Sequence, residues 1–363
     1  MPPSNHALLS ASSSHRWLNC PRSVRASEGI ESETTEFAIE GSCAHELAEN
    51  MLMKALGQEY TDCTENLTYY NTEMQESADG YVAFVLEKMA EMPSPSVFIE
   101  QRLDMTAYIK EGFGTGDCVI VGDGLLHIID FKYGAGVAVD ARNNEQLRIY
   151  ALGAYDTFKD IYDITTVRMS IYQPRKAYAG TDEIQIDALL SWAETTLKPK
   201  AELAFNGEGD FCAGDWCRFC PIRNSCRERA EKNLELAKYD FAKPPELTDS
   251  EVAELLPKLD SFIEWAEGLK EYALKQALDG KHFDGFKLVE GRSLRKFNDE
   301  AAVASVLRDA GYEPYTQKLQ TLTELTKLLG KVKFEELLGK YIVKPAGKPT
   351  LVPESDKRPA IKK

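Results

Sequence analysis

The sequence lacks a long apolar run, a signal-peptide pattern and an excess of positive charge. No apolar run approaches the roughly 20 residues that a helix needs to cross a bilayer, so we expect no membrane span. The start, MPPSNHALLSASSSHRW, has neither the charged nor the apolar region of a signal peptide, and we expect a cytoplasmic protein. The formal net charge of −15 argues against a broadly basic surface that attracts nucleic acid.

The charge is nevertheless unevenly distributed along the chain. From Gly291 to Lys363 there are 15 lysines and arginines against 9 aspartates and glutamates, whereas the preceding part is strongly acidic. The sequence therefore does not exclude a locally basic surface on an otherwise acidic protein.

Length and cysteine content narrow the class of protein. At 363 residues the chain exceeds what a single core usually organises, so we expect two domains or one domain with a long appendage. In a reducing compartment its 8 cysteines are expected to be thiols or metal ligands rather than disulfides.

Hydrophobic periodicity predicts an α/β core with helices before and after it. Helical spacing of apolar residues covers 37–56 and 77–92. Three strands follow, SVFIEQRLDM, GTGDCVIVGDG and LLHIIDFKYG, and Gly122-Asp123-Gly124 between the last two predicts a hairpin. The helix NNEQLRIYALGAYDTF, the strand VRMSIYQPR and further helix from Ile186 to about Phe205 complete the core.

The C-terminal third predicts a separate small module. Thr248 and Glu251 form a capping-box pattern that starts a long helix running to about Ala277. The segment GFKLVEGRSLRKF predicts a hairpin, with two short helices after it. We expect a core domain at 1–231, a linker at 232–247, an accessory module at 248–345 and a disordered tail at 346–363.

Two charged residues interrupt the apolar strand HIIDFKYG. Asp130 and Lys132 are two residues apart, so they share one face of the strand. Asp117, in GTGD, is as far from the hairpin turn as Asp130, so the two carboxylates can lie across from each other. Converging carboxylates bind Mg²⁺, and a neighbouring lysine can orient or deprotonate the attacking water. The alternative is a partly exposed ion pair on an edge strand.

The order GTGD, hairpin, D-x-K and then QLRIY in the next helix resembles the PD-(D/E)XK nuclease superfamily in its RecB-like branch. The resemblance implies a central mixed sheet flanked by helices and Mg²⁺ or Mn²⁺ at the site. It implies metal ligands and catalytic residues as follows: His45, Asp117, Asp130 and the Phe131 carbonyl as ligands, Lys132 to position or activate water, and Gln146 and Tyr150 to contact the substrate or support Lys132. Glu100 is an additional acidic group that we rank below these.

Three further cysteines stand close together as Cys217-x2-Cys220-x5-Cys226, and Cys20, near the N-terminus, is the candidate fourth ligand. This pattern resembles the iron-sulfur site of AddB-type nucleases and CRISPR-associated RecB-like nucleases. The resemblance implies a [4Fe-4S] cluster that ties the N-terminal segment to the end of the nuclease domain. Zn²⁺ is the alternative, since four thiolates suit it equally well.

The remaining cysteines lie outside this predicted ligand set. Cys212 is a substitute ligand, whereas Cys43, Cys63 and Cys118 are expected to be small buried residues. Around Cys20, a basic and aromatic segment could track a single strand of DNA, or its tryptophan could serve packing; the segment contains Arg16, Trp17, Arg22 and Arg25.

The whole chain also resembles an uncharacterised phage and prophage family, through HALLSASSSHRWLNCP, GFKLVEGRSLRKF and KPTLVPESDKRPAI. Together the resemblances imply a metal-dependent DNA nuclease, an exonuclease on single-stranded or end-resected DNA, that works with phage replication or recombination proteins. One alternative is a non-cleaving DNA-binding or recombination accessory protein that keeps the fold. Another is a zinc-stabilised assembly protein whose acidic residues are structural.

Overall fold

A five-stranded mixed sheet forms the centre of the fold, in a computed structural model that describes residues 7–30, 35–235, 247–289, 299–309, 315 and 321–342. The strands lie in the sheet in chain order, and the β3–β4 pair is parallel while the other pairs are antiparallel. The predicted α/β class is confirmed. The strands are β1 (Ser96–Asp104), β2 (Phe113–Gly122), β3 (Gly124–Phe131), β4 (Ile164–Gln173) and β5 (Tyr178–Gln185).

Helices precede, connect and follow the strands of this sheet. The first half contains α1 (Ser14–Asn19), α2 (Ser23–Ala26), α3 (Glu36–Ala55), α4 (Thr72–Ala90) and α5 (Glu145–Phe158). The second half contains α6 (Ile186–Trp192), α7 (Lys198–Asn206), α8 (Arg227–Leu234), α9 (Asp249–Leu278), α10 (Glu300–Asp309), α11 (Leu322–Leu329) and α12 (Lys331–Leu338).

Two hydrophobic clusters fill the space between the helices and the sheet. On one face α3 and α4 pack against alternate residues of β2 and β3, including Cys118, Ile120 and Ile129. On the other face α5 and the N-terminal helices pack against the intervening residues, including Val119 and Ile128. Because side chains alternate along each strand, the central strands contribute apolar residues to the clusters on both faces. Their sequences are therefore continuous apolar runs.

Side-chain caps fix where three of the helices begin. The side chains of Thr35, Asn71 and Asn144 each accept a hydrogen bond from a backbone N–H in the first turn of the helix that follows. The cap at Asn144 starts α5, which is the crossover between the parallel strands β3 and β4. The helices predicted over 37–56 and 77–92 correspond to α3 and α4, and the second begins earlier than expected.

The predicted hairpin is present, but one strand was missed. β2 and β3 pair from Gly122–Leu125 to Cys118–Ile129 around the glycine turn, where Gly124 has φ 85°. β5, with the sequence YAGTDEIQ, was not predicted, because it carries little apolar alternation. It follows a short turn at Pro174–Lys176 and is the edge of the sheet beside β4.

Contacts divide the chain into two units, Met1–Tyr272 and Ala273–Lys363. This division falls inside α9, C-terminal to the predicted linker. The long helix predicted from Thr248 is α9, and three short helices, rather than two, follow it in the described residues. Of the predicted hairpin, 285–289 lies in no strand, and the rest lies outside the described residues, as does the predicted tail. No helix in the described part of the chain has the length and apolarity to span a membrane.

Candidate active site

The site forms where β3 ends and β2 continues beyond it. The last pair of the β2–β3 ladder is Cys118 with Ile129, so the next positions away from the turn are Asp117 and Asp130. The Phe131 N–H donates a hydrogen bond of 2.7 Å to Oδ2 of Asp117, which holds this carboxylate against the end of β3. The structure thus brings the two predicted aspartates together.

Lys132, Gln146 and Tyr150 form a connected network with Asp130. Nζ of Lys132 lies 3.1 Å from Oδ2 of Asp130 and donates to Oε1 of Gln146 at 3.2 Å. The Gln146 amide donates to Oδ1 of Asp130 at 3.1 Å and to the Tyr150 hydroxyl at 3.4 Å. Because Gln146 and Tyr150 are one turn apart on α5, the cap that starts α5 also places both side chains.

Asp130 is 3% exposed, and its Oδ2 makes the ion pair with Lys132 without a well-directed hydrogen bond in the described residues. Burial raises the pKa of Asp130, and Lys132 offsets part of that effect. For Lys132, burial works against the charged form, but the nearby Asp130 and Asp117 outweigh it and raise its pKa. Lys132 is therefore an ammonium at neutral pH, with a donor free for a substrate or water.

Three side chains converge on a single point beside this network. Ligand atoms of His45, Glu100 and Asp117 all lie within 4.8 Å of one another, and Nδ1 of His45 is 3.5 Å from Oδ1 of Asp117. Asp130, predicted as a ligand, is not a member of this group, whereas Glu100, ranked lower, is a member. Phe131 contributes through its N–H to Asp117 and through its ring, 5.4 Å from that of His45.

The pKa values in this group follow from burial and from mutual charge. Burial alone would lower the pKa of His45, but the Asp117 carboxylate more than offsets it and raises the pKa. Burial would raise the pKa of Asp117, yet His45 and then Lys132 lower it. Burial, and after it the negative charge of Asp117, raises the pKa of Glu100 to about 7. Burial and the Asp117 carboxylate thus disfavour the ionised form of Glu100, and a nearby cation would favour it.

Glu100 has an unusual backbone conformation for its residue type. Its φ is 46°, in the left-handed region, which costs energy for any residue other than glycine. Ile99, just before it, packs in the α3–α4 layer, whereas Leu103 belongs to the α5 layer, although regular alternation would place both on one face. The strand therefore reverses its faces around Glu100, and the reversal lies opposite Asp117.

The first glycine of GTGD has a steric role. A Cβ on Gly114 would lie 2.9 Å from Cε1 of Tyr150 and 3.1 Å from Cε of Met105. Glycine therefore lets the Tyr150 ring lie against β2, next to the Gln146 network. Gly116 has looser surroundings, since its nearest atom would be Cδ1 of Leu103 at 3.4 Å.

The cysteines proposed as a second ligand set line one small cavity. Cys20 lies just after α1, and the other four lie in the loop before α8; the cavity is lined by Cys20, Cys212, Cys217, Cys220 and Cys226. Oriented backbone N–H groups meet two of the sulfurs, Cys212 N–H to Sγ of Cys20 at 3.3 Å and Gly214 N–H to Sγ of Cys217 at 3.5 Å.

Burial raises the pKa of both Cys217 and Cys220, and proximity to Cys20 adds to each shift. Among the described residues no three sulfurs lie within 4.8 Å of one another. A tetrahedral Zn²⁺ with bonds of about 2.3 Å would hold its sulfurs about 3.8 Å apart, so no ready-made zinc geometry is present. Cys43, Cys63 and Cys118 are buried.

The segment around Cys20 serves packing at its aromatic residue. Trp17 is 0% exposed and donates to the Ser10 carbonyl, so the expectation that it could stack on a nucleic-acid base is wrong. The three arginines also have partners. Arg16 donates to the Ser23 hydroxyl at 3.0 Å, whereas Arg22 lies over the Phe211 ring and Arg25 over the Phe205 ring.

The fold and the site define an α/β protein with a candidate divalent-cation site on a mixed sheet. A family model described as "Protein of unknown function (DUF2800)" matches residues 6–359. The chain belongs to this DUF2800 family. Among solved structures, "Crystal structure of SSO0001" is 12% identical, with 60% of this chain and 96% of that chain covered and a TM-score of 0.25. A TM-score of 0.25 does not establish a shared fold.

Proposed function

We propose that the protein is a Mg²⁺- or Mn²⁺-dependent DNA nuclease with a PD-(D/E)XK core. One observation carries the proposal: the Lys132 ammonium, held by Asp130 and Gln146, adjoins the group of His45, Glu100 and Asp117. A cation site and a positioned lysine in one place are the two parts that hydrolysis of a phosphodiester needs.

The residues fit a divalent cation. Two carboxylates and one imidazole offer mainly oxygen ligands, which suit Mg²⁺ and Mn²⁺, and Asp130 adds a buried carboxylate oxygen that is ion-paired with Lys132. A cation bound there would supply positive charge that lowers the pKa of a water and neutralises a phosphate oxygen.

In this proposal Lys132 contacts the attacking water. Because its pKa is raised, it donates hydrogen bonds rather than accepting a proton, so it orients the attacking water and offsets charge on the phosphate. Gln146 fixes the ammonium by bridging it to Asp130, and the Tyr150 hydroxyl accepts the second amide hydrogen of Gln146. These roles favour water positioning over deprotonation by Lys132.

The cysteine cavity is proposed to hold a [4Fe-4S] cluster through Cys20, Cys217, Cys220 and Cys226. Convergence of the thiols from distant parts of the chain and the N–H groups directed at sulfur support a bound thiolate centre. Zn²⁺ is the alternative occupant, since four thiolates suit it equally well. Iron and zinc contents of anaerobically purified protein distinguish the two, and one zinc per chain without iron would overturn the iron-sulfur proposal.

Degradation of labelled single-stranded DNA in Mn²⁺ or Mg²⁺ tests the nuclease proposal. We expect cleavage that EDTA stops and that Asp130→Asn abolishes, while Asp160→Asn, at an exposed turn after α5, keeps wild-type activity. Cation and DNA binding without cleavage by the wild type would instead favour the non-cleaving accessory protein. The expected phage partners and cytoplasmic location stay predictions.

A further inference from the structure

Tyr81, on α4, has a buried hydroxyl that sequence reasoning did not single out. The residue is 2% exposed, and its hydroxyl has no hydrogen-bond partner among the described residues. A buried hydroxyl without a partner loses its hydrogen bonds to water and gains none within the protein, which destabilises the fold. Such a group calls for a reason, and a functional site is a common one.

The tyrosine lies against the candidate cation site. Its ring is 4.9 Å from that of Phe131, the residue whose N–H holds Asp117 and whose ring packs on His45. Its pKa is raised by burial, and after burial by nearby acidic groups, in the order Cys118, Asp117, Asp130 and Glu100. The ring contact with Phe131 therefore places Tyr81 beside the end of β3, where Asp117 and Asp130 lie.

Two carboxylates of the site still have room for a donor. Both oxygens of Asp117 are engaged, one by His45 and the other by the Phe131 N–H. Oδ2 of Asp130 has only its ion pair with Lys132, without a well-directed hydrogen bond, and no hydrogen bond is present at the Glu100 carboxylate within the described part of the chain. A donor and suitable acceptors thus coexist in one site without being joined.

We propose that Tyr81 is a positioning residue of the cation site, whose hydroxyl donates a hydrogen bond to a carboxylate oxygen of that site when a divalent cation is bound. The inference rests on the proposed function, because it requires the cation. Partners that orient ligand carboxylates typically contribute 10- to 100-fold to metal affinity.

Tyr133 provides a matched control within the same chain. Its hydroxyl is also buried and unpartnered among the described residues, and it too packs near Phe131. Its ring, however, lies under the Arg175 guanidinium at 4.6 Å, and its pKa responds to burial and then to Arg175 rather than to the cation site. Removing either hydroxyl deletes one unpaired oxygen and leaves the ring packing in place.

Calorimetric titration with Mn²⁺ of the wild type, Tyr81→Phe and Tyr133→Phe tests the inference. We expect affinity about tenfold weaker or worse for Tyr81→Phe and unchanged for Tyr133→Phe. In EDTA both variants should unfold at the same urea concentration as the wild type or higher, because each loses only an unpaired group.

Wild-type Mn²⁺ affinity in Tyr81→Phe, or equal weakening in both variants, would overturn the inference while the wild type still binds Mn²⁺ and cleaves DNA. A wild-type protein that binds no Mn²⁺ would overturn the proposed function together with it. The two failures are therefore distinguishable.

Discussion

Replacing Glu100 separates the stability cost of its backbone conformation from the contribution of its carboxylate to cation binding. Glu100 has φ 46° on β1 and contributes a carboxylate to the group with His45 and Asp117. Glu100→Ala removes the carboxylate and keeps the strained backbone, whereas Glu100→Gly removes both. Comparing these two variants isolates the backbone contribution, since neither has a side chain that reaches the site.

The magnitude follows from the left-handed conformation. A residue with a Cβ pays about 1–2 kcal/mol there, while glycine adopts it freely. Glycine also gives the unfolded chain more freedom, which offsets about 0.4–1 kcal/mol of the gain. Glu100→Gly should therefore be more stable than Glu100→Ala by about 1 kcal/mol. Both variants should bind Mn²⁺ at least about tenfold more weakly than the wild type, as a lost ligand implies.

Urea unfolding in EDTA measures the first difference, and calorimetry with Mn²⁺ measures the second. An alanine variant as stable as the glycine variant would refute the strain argument, because the backbone would then not be left-handed at this position. Unchanged Mn²⁺ affinity in both variants would remove Glu100 from the cation site and leave its conformation without a functional reason.

Four further perturbations test other parts of the structure. Lys132→Ala should retain Mn²⁺ binding and lose about 100-fold or more in cleavage rate, as measured by calorimetry beside a DNA assay; equal loss of both would make the lysine a scaffold residue. Gly114→Ala should place a Cβ 2.9 Å from the Tyr150 ring and destabilise the fold by about 1–3 kcal/mol in urea, whereas an unchanged midpoint would show that the ring moves freely. Cys20→Ala should lose bound iron and up to about 5 kcal/mol of stability, by analogy with a long-loop crosslink; iron content and urea midpoints that match wild type would exclude it as a ligand. Burial lowers the pKa of His127 to about 3, so the unfolded chain gains a proton below about pH 6.5 that the folded protein refuses. Stability is then lost as pH falls, and His127→Gln should lose about 2 kcal/mol less than wild type between pH 6.5 and 4.5, with parallel pH profiles as the contrary result.

Much of the site follows from counting along the hairpin. Asp117 and Asp130 are equally distant from a glycine turn, and a regular antiparallel register brings such residues together. The i, i+4 spacing of Gln146 and Tyr150 places them on one helix face beside the end of β3. Local geometry is sufficient in these cases, because strand and helix periods are fixed by the backbone.

Features that depend on irregular backbone or distant packing were not predictable in this way. Nothing in the sequence FIEQ signals that Glu100 has positive φ or that its carboxylate lies with His45 and Asp117. Tyr81 reads as an ordinary apolar-face residue of α4 until its unpaired hydroxyl is located beside the carboxylates. β5 was not predicted, because an edge strand whose alternate residues face solvent needs few apolar residues.

The strand order has a consequence for how the chain acquires its structure during synthesis. Because the strands neighbour one another in chain order, each can pair with its predecessor soon after leaving the ribosome, and contacts of this short sequence separation form quickly. The cysteine cavity differs, because Cys20 and the loop at 212–226 are far apart in the sequence. Cys20 is synthesised early, and the cavity can form only after that loop has been synthesised. Every candidate catalytic side chain is therefore translated before the closure that secures the N-terminal segment. A nascent chain therefore passes through a stage in which the residues of the candidate site are present while Cys20 still lacks its neighbours from the loop at 212–226.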